Sequence, residues 1–295
     1  MEIRLLESFL AIAEAGSVTR AAEVLHITQP ALSRQLTTLE GELGCPLFTR
    51  GKRRMELTEQ GLLLQRRAAE ILSLVALTED ELSDQSAELE GRVSIGAGEL
   101  SSAAVVTSLV AEFAALHPRV TFDFFTGVSD QVTGRLERGL LDFGLLMQPV
   151  DALRYEVLRL PVHEQWVAVV RAEDPLAGKE GVAAADLAKR PLVLPVRVGP
   201  RSLLAEWFGE AFEGLNARYT VNLGGMAARV VEQGLSVFVG VAGCVEHWDR
   251  ARFAVLPLDP PLLSSTALAW KRGMAHTAAV EAFIAFSRDR LTPRR

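Results

Sequence analysis

The chain has 295 residues, of which 49% are hydrophobic and 23% charged; this composition indicates a globular protein of about two domains and excludes a disordered chain. No uncharged apolar stretch reaches the roughly 18 residues of a membrane-spanning helix, so we expect no membrane association. The net charge of −6 excludes a general polyanion binder, and any contact with nucleic acid must therefore come from a local basic patch.

Helix signals dominate the first 58 residues. Apolar residues at helical spacing predict a first helix that Gly16 ends, and Ser17 begins a short second helix over 18–25. A third helix follows with Pro30 in its first turn, where the missing N–H costs nothing. Apolar positions lie on one side of this helix and polar positions on the other. This arrangement is typical of a helix-turn-helix unit, in which the second helix of the pair exposes polar side chains.

The exposed side of the third helix offers the chemistry that reads base edges in the major groove. Gln29 can form two hydrogen bonds to adenine, Ser33 can reach a base edge or a phosphate, and Arg34 can reach guanine or a phosphate. Small apolar neighbours can contact a thymine methyl group. Each residue alone could be an ordinary solvated helix residue, but the full pattern predicts DNA contact by Thr28, Gln29, Pro30, Ala31, Ser33 and Arg34.

A strand-turn-strand pattern over 46–57 predicts a small hairpin, or wing, with a basic tip. Because the 1–58 segment has seven basic and seven acidic residues, this positive charge is local. We expect the tip to contact phosphates and the minor groove, where arginine senses groove width. The tip residues are Arg50, Lys52, Arg53 and Arg54.

Thr58 is the predicted cap of a long helix over 59–88, with Gly91 as its stop. At about 1.5 Å per residue such a helix is a rod of about 45 Å. Apolar residues recur along it in steps of four and three, a seam that pairs helices of two chains. The alternative is a helix packed on its own domain. The seam residues are Leu64, Ala68, Ile71, Val75, Leu82 and Leu89.

From residue 92 onward, short apolar strands alternate with helices. The order strand-helix-strand-helix-strand over 93–147 predicts a parallel sheet with right-handed crossovers. A second set follows, with strands at 166–170, 192–194, 219–223 and 237–241, helices at 202–212 and 226–233, and a closing strand and helix at 266–270 and 278–288. Two such units imply a cleft between them, which is a common ligand position.

Ligand contacts are expected at loops after strands and at helix N-termini, where unpaired N–H groups favour anions. Arg197 or Arg201 could hold a carboxylate, which favours a small organic acid. Glu99 argues the other way, because its charge would repel an anion; it could serve an amine or pair with an arginine across the cleft. The serines could simply cap helices. The candidates are Glu99, Ser101, Ser102, Thr126, Gly127, Ser129, Arg197, Val198, Gly199, Arg201, Gly225 and Met226.

The N-terminal segment resembles the LysR-type transcriptional regulators at many positions with fixed spacing. The matching residues are Phe9, Ala13, Gly16, Ser17, Ala21, Ala22, Leu25, those at 28–33, Leu39, Glu40, Leu43, Gly44, Leu47, Phe48, Arg50, Leu57, Thr58 and Gly61. Residues 92–96, 139–142 and 268–271 resemble the family's effector domain. The resemblance implies a periplasmic-binding-protein-like architecture, the same DNA-contacting positions, and a partly structural role for Arg50 at its strand end.

The expected fold class is α/β with a helix-rich N-terminal domain. A winged helix-turn-helix domain occupies 1–58, a linker and dimerisation helix 59–90, and a two-subdomain effector-binding domain 91–295. Within the last, subdomain I takes about 91–161 and 267–295, and subdomain II about 162–266. The return of the chain to subdomain I near residue 267 is an implication of the family resemblance.

These features predict a sequence-specific DNA-binding transcriptional regulator controlled by a small-molecule effector, and not an enzyme. We expect as partners double-stranded DNA with a partial dyad, the effector, RNA polymerase, and further copies of the chain in a homodimer or homotetramer. No cofactor and no metal are expected. Because no targeting segment is recognisable and the two cysteines show no disulfide or metal spacing, we expect a cytoplasmic location.

Two alternatives use the C-terminal cleft differently. An enzyme would need a nucleophile with a base, but the sequence contains no GxSxG motif, and Cys45 and Cys244 lie 199 positions apart without a histidine beside either. A solute-binding protein would need a signal peptide, and the N-terminal segment predicts a DNA-binding unit in its place.

Overall fold

The computed structural model describes residues 2–50, 55–82 and 88–291. Its N-terminal part contains α1 (Ile3–Ala15), α2 (Val18–Val24), α3 (Gln29–Leu43), β1 (Phe48–Arg50), β2 (Met55–Leu57) and α4 (Glu59–Leu82). Gly16 ends α1 in the left-handed conformation, at φ 63°, as its position predicts. The helix-turn-helix followed by a hairpin is therefore confirmed, and its tip, residues 51–54, lies outside the described residues.

The N-terminal core is built from the apolar faces of α1, α3 and the hairpin. Phe9, Leu32 and Leu39 have no exposed surface. Thr58 joins the hairpin to α4, because its Oγ1 donates to the carbonyl of Pro46 (2.8 Å) and accepts from the N–H of Gly61 (3.0 Å). This is the capping role that the sequence predicts for Thr58.

The long helix does not reach the end that the sequence predicts. Helix α4 is described from Glu59 to Leu82, residues 83–87 lie outside the described residues, Glu88 is not helical, and Gly91 lies inside a strand rather than after a helix. The prediction that Leu89 belongs to the helical seam is wrong, because Leu89 precedes this strand and packs against the C-terminal core. The physical reason is that residues 90–97 pair with a neighbouring strand along their full length, and this pairing overrides the helical periodicity of the sequence.

The seam along α4 partly faces its own domain. Ala68 is fully buried, and Leu64 and Ile71 pack against the N-terminal core, so the alternative of a helix packed on its own domain holds at this end. Val75 is half-buried beside the exposed Leu74 in a shallow groove. The side chain of Leu82 lies outside the described part of the chain. Apolar side chains that α4 leaves exposed are Leu62, Leu63 and Leu74.

The C-terminal part is a mixed sheet flanked by helices. Its elements are β3 (Glu90–Ala97), α5 (Ala103–Leu116), β4 (Arg119–Thr126), α6 (Ser129–Glu137), β5 (Phe143–Met147), β6 (Tyr155–Arg171), α7 (Ala184–Leu187), β7 (Leu192–Pro195), α8 (Val198–Phe208), β8 (Tyr219–Val221), α9 (Gly224–Glu232), β9 (Val237–Val241), β10 (Phe253–Pro257), β11 (Leu263–Lys271) and α10 (Ala278–Leu291). Within the described residues the strand order is β4-β3-β5-β11-β6-β9-β7-β8, and β10 pairs with β6.

Two lobes share this sheet. The first half of β6 pairs with β11, and its last residues pair with β9 and β10. Lobe I contains β3 to β5, β11, α5, α6 and α10, and its core surrounds Phe113, Phe143 and Phe283. Lobe II contains β7 to β10, α8 and α9, and its core surrounds Trp166 and Leu204. The α/β class with two lobes is thus confirmed, and β11 and α10 return the chain to lobe I.

Some elements differ from the sequence prediction. The first half of β6, the short α7 and the strand β10 were not predicted, and α8 begins at Val198 rather than at residue 202. The first half of β6 includes Pro161 and the polar run His163, Glu164 and Gln165. These residues break the apolar pattern by which a strand is recognised in the sequence. The strand is stabilised by its pairing with β11 rather than by an apolar pattern of its own.

Replacing Gly61 with alanine should destabilise the N-terminal unit. An added Cβ would lie 2.1 Å from the carbonyl oxygen of Leu47, so α4 and the hairpin would have to separate. We expect a loss of about 1–3 kcal/mol, as for overpacking in general, in chemical denaturation followed by circular dichroism. The control is Gly41→Ala on α3, where the new Cβ meets open space and should be neutral or stabilising. Equal effects of the two substitutions would contradict the packing described here.

Candidate functional site

The first turns of α3 present a polar surface away from the N-terminal core. Thr28, Gln29, Pro30 and Arg34 are exposed, and Ala31 and Ser33 are half-buried. Leu32, Leu36 and Leu39 fix this orientation, because their side chains are buried on the opposite face. Thr28 occupies the N-cap position, but its side chain makes no capping hydrogen bond. The six residues predicted for DNA contact therefore lie together on one helix end.

The hairpin is held in a defined position beside α3. Glu40 of α3 accepts hydrogen bonds from the N–H of Leu47 (2.7 Å) and of Phe48 (3.4 Å). The ring of Phe48 packs on Phe9 of α1, with 5.4 Å between the ring centroids. Strand pairing of Arg50 with Met55 puts Arg50 at the end of the hairpin; its side chain is not described. Lys52, Arg53 and Arg54 lie outside the described residues.

A small cavity lies between the two lobes. We call it the inner cavity; its volume is about 90 Å³. Its wall is mostly apolar, with Leu100, Val128 and Met147 from lobe I and Trp166, Val221, Phe238 and Val241 from lobe II. Glu99, Ser129, Arg197, Asn222 and Cys244 add polar atoms to the wall. Among the predicted effector residues whose side chains are described, Glu99, Ser129 and Arg197 line this cavity.

Two helix N-termini at the cleft hold carboxylates of the protein itself. Glu164, which is fully buried, accepts hydrogen bonds from the N–H groups of Ser101 (3.0 Å) and Ser102 (2.8 Å) at the start of α5. Glu99 Oε2 accepts from the N–H of Gly224 (2.6 Å) at the start of α9. The positive end of each helix dipole stabilises the negative charge there. These N-termini are therefore not open to a ligand anion.

Arg197 forms an ion pair across the cleft, from lobe II to lobe I. Its Nη2 lies 2.8 Å from Asp130 Oδ1, and its Nη1 donates to Ser129 Oγ (3.1 Å). A second cavity of about 560 Å³, the outer cavity, shares Ser129 and Arg197 with the inner one and is also lined by Gly199. The Arg197–Asp130 pair therefore stands between the two cavities.

Several predicted effector residues lie elsewhere. The guanidinium of Arg201 lies over the ring of Phe212, 5.8 Å from its centroid. The alternative that Arg201 holds a ligand carboxylate stays a prediction. Ser101 and Ser102 give their N–H groups to Glu164. In the described part of the chain, the walls of the inner and outer cavities do not include Ser101, Ser102, Thr126, Gly127, Arg201, Gly225 or Met226. The side chain of Val198 is not described.

Cys244 lines the inner cavity as a protonated thiol. Burial raises its pKa to about 12, and the negative charges of Glu99 and Glu164 add to the increase. A thiol with this pKa is a poor nucleophile at neutral pH, because the reactive form is the thiolate. Within the described residues, no three histidine, cysteine, aspartate or glutamate side chains come together as a metal site.

Sequence reasoning missed the apolar wall and the role of Glu164. Trp166, Phe238 and Val241 read as strand core residues, and the sequence contains no signal that they face a cavity. Glu164 carried a weak signal, since it is a charged residue two positions before the apolar run that begins at Trp166. No helix within the described residues has both the length and the apolar character that crossing a bilayer requires.

A helix-turn-helix with an exposed polar face, joined to a two-lobed domain with cavities between its lobes, is typical of a ligand-responsive DNA-binding protein. Two family models match the chain. The model of the LysR substrate binding domain matches residues 86–292, and that of the bacterial regulatory helix-turn-helix protein, lysR family, matches residues 3–62. The chain belongs to the LysR family of transcriptional regulators, as its sequence indicates. Members of this family bind DNA and small-molecule effectors and form oligomers.

Individual relatives match over nearly the whole chain. The Hca operon transcriptional activator HcaR of Escherichia coli is 29% identical, over 99% of this chain and 98% of its own. A full-length OxyR variant from Pseudomonas aeruginosa has the same fold, with a TM-score of 0.70, 22% identity and 98% of each chain covered. Full-length CbnR in complex with its target DNA gives a TM-score of 0.65 and 22% identity, over 98% of this chain and 99% of that one.

Removing the Arg197 side chain should open the inner cavity to reagents. In a Cys45→Ser background, which leaves one cysteine, we expect Arg197→Ala to raise the rate of thiol labelling at Cys244 about three- to tenfold, because local opening controls access to a buried group. The control is Arg229→Ala, which removes an exposed arginine that pairs with Glu232 on α9 of the same lobe. Equal labelling rates in both variants would show that Arg197 does not hold the cleft closed.

Proposed function

We propose that α3 reads one half-site of a partially dyad DNA element, while the basic tip of the hairpin contacts the flanking phosphates. The observation that carries this proposal is the orientation of α3, with Gln29, Ser33 and Arg34 opposite its buried leucines. The Glu40 hydrogen bonds support a fixed spacing between α3 and the hairpin, which a protein needs in order to engage two adjacent parts of a duplex.

We also propose a separate function for each of three segments of the chain. Residues 1–58 bind DNA, 59–90 link and dimerise, and 91–295 bind the effector, with subdomain I at about 91–161 and 267–295 and subdomain II at about 162–266. The separate apolar cores of the two lobes support this division. For the dimer, the side chains that α4 leaves exposed, such as Leu63 and Leu74, are better suited than the buried Ala68.

The proposed control mechanism acts through the cleft. An effector in the inner cavity changes the balance between closed and open lobes, which the Arg197–Asp130 pair spans. The change then alters how two or four copies of the chain hold their DNA and how RNA polymerase is engaged. Such coupling requires that the effector binds one arrangement of the lobes more tightly than the other.

The proposed function carries expectations for the cellular location of the protein and for what it does to its small molecule. A regulator of transcription acts where the chromosome is, so we keep a cytoplasmic location as part of the proposal. The protein binds its small molecule rather than transforming it. The protonated Cys244 thiol supports this, because it removes the nucleophile that an enzyme in this cleft would use.

Replacing Gln29 with alanine should reduce sequence discrimination. A side chain that forms two hydrogen bonds to a base contributes about 1–3 kcal/mol of discrimination, so we expect about a tenfold or larger loss in the ratio of specific to nonspecific affinity. The measurement is fluorescence anisotropy on DNA from upstream of the protein's own gene and on a shuffled duplex. Thr38→Ala, an exposed residue further along α3, is the control. Unchanged discrimination by Gln29→Ala would refute the assignment of the reading face.

A further inference from the structure

The electrostatic environment of the inner cavity is acidic. Glu99 lies in its wall, Glu164 is buried behind the start of α5, and Asp130 lies at the junction with the outer cavity. Arg197, the basic side chain of the wall, already pairs with Asp130. The raised pKa of Cys244 reports the same negative field, since the charges of Glu99 and Glu164 contribute to it. A ligand carboxylate would meet the Glu99 carboxylate in the wall, with Glu164 and Asp130 outside the wall, and a guanidinium that is already paired.

Glu99 is prepared to accept one more hydrogen bond. The N–H of Gly224 fixes its Oε2, whereas its Oε1 accepts no hydrogen bond from any residue of the described chain. An added Cβ at Gly224 would lie 2.5 Å from the carbonyl oxygen of Cys244 and 3.2 Å from Glu99 Oε2, so glycine is what lets the carboxylate approach this helix end. The carboxylate is thus held in place with one acceptor oxygen left over.

The remaining wall favours an apolar body that carries positive charge. Trp166 and Phe238 line the cavity together with Met147. The indole N–H of Trp166 donates to Ser264 Oγ (2.9 Å), so Trp166 offers a ligand its apolar ring rather than a hydrogen bond. Aromatic rings attract cations through the negative potential of their faces. The free acceptor oxygen of Glu99 and the aromatic wall therefore both favour a cationic ligand with an apolar body.

The volume limits the size of that ligand. The inner cavity measures about 90 Å³, whereas a cavity of about 150 Å³ holds the six carbon atoms of benzene. On this scale roughly four heavy atoms fill the inner cavity, and a larger ligand would extend past Arg197 into the outer cavity.

We propose that the cleft ligand is a small apolar amine whose ammonium group binds Glu99, rather than a small organic acid. This inference rests on the proposed effector function of the cleft. An ammonium group at Glu99 would join the contact between Glu99 of lobe I and Gly224 of lobe II, so ligand binding would act directly on the junction of the lobes.

Three probes with one branched five-carbon skeleton test the proposal: isopentylamine, isopentanol and isovalerate. Each is titrated calorimetrically into the full-length chain, the Glu99→Gln variant and the Glu213→Gln variant. Glutamine at 99 keeps an oxygen acceptor for Gly224 but removes the charge, and Glu213 is an exposed acid outside the cleft. We expect the amine to bind the unsubstituted chain at least about tenfold more tightly than isovalerate. Glu99→Gln should abolish this preference, and Glu213→Gln should keep it.

Isovalerate binding as tightly as the amine would overturn the proposal, and so would an amine preference that survives Glu99→Gln. Absence of amine binding at millimolar concentration would overturn it as well. The same protein samples are tested for binding to the DNA upstream of the gene. If DNA binding persists while the amine fails, the ligand class is wrong and the regulator function stands; if both fail, the proposed function falls too.

Discussion

The hydrogen bond from the N–H of Gly224 to Glu99 is the contact that connects the two lobes at the inner cavity. It joins the loop after β3 in lobe I to the start of α9 in lobe II over 2.6 Å. An added Cβ at Gly243 would lie 2.3 Å from the backbone nitrogen of Ser101, so at this point the backbones of the two lobes approach each other directly. The carboxylate satisfies a helix N-terminus that would otherwise need water or a ligand. The shape and charge of the inner cavity both follow from this arrangement.

Carboxylates accept backbone hydrogen bonds from separate elements elsewhere in the chain as well. Glu164 connects β6 to α5, and Glu40 connects α3 to the hairpin through backbone N–H groups. A charged acceptor makes stronger hydrogen bonds than a neutral one. The DNA-facing surface and the cleft therefore share carboxylate-to-backbone contacts, and at the cleft the Arg197–Asp130 ion pair adds to them.

The sequence predicted the N-terminal unit closely, because its helices have a strong apolar period and glycine and proline mark their ends. The parallel strands of lobe I were also predicted, and the observed bounds of β5 are those that the sequence predicts. The first half of β6 and β10 were missed, since their stability comes from partners distant in the sequence. The contacts of the cleft residues were predicted least well: Arg201 lies over Phe212, and the N–H groups of Ser101 and Ser102 donate to Glu164. Side-chain direction at such sites depends on tertiary contacts that spacing does not encode.

The central claim is that occupancy of the cleft at Glu99 is linked to the way the protein holds DNA. The most direct test is a footprint on the DNA upstream of the gene, made with the unsubstituted chain and with Glu99→Gln, each with and without small molecules extracted from its host cells. The account predicts that the extract shortens or shifts the footprint of the unsubstituted chain and leaves that of Glu99→Gln unchanged. If the extract altered both footprints equally, or neither, the link between Glu99 and DNA binding would be contradicted.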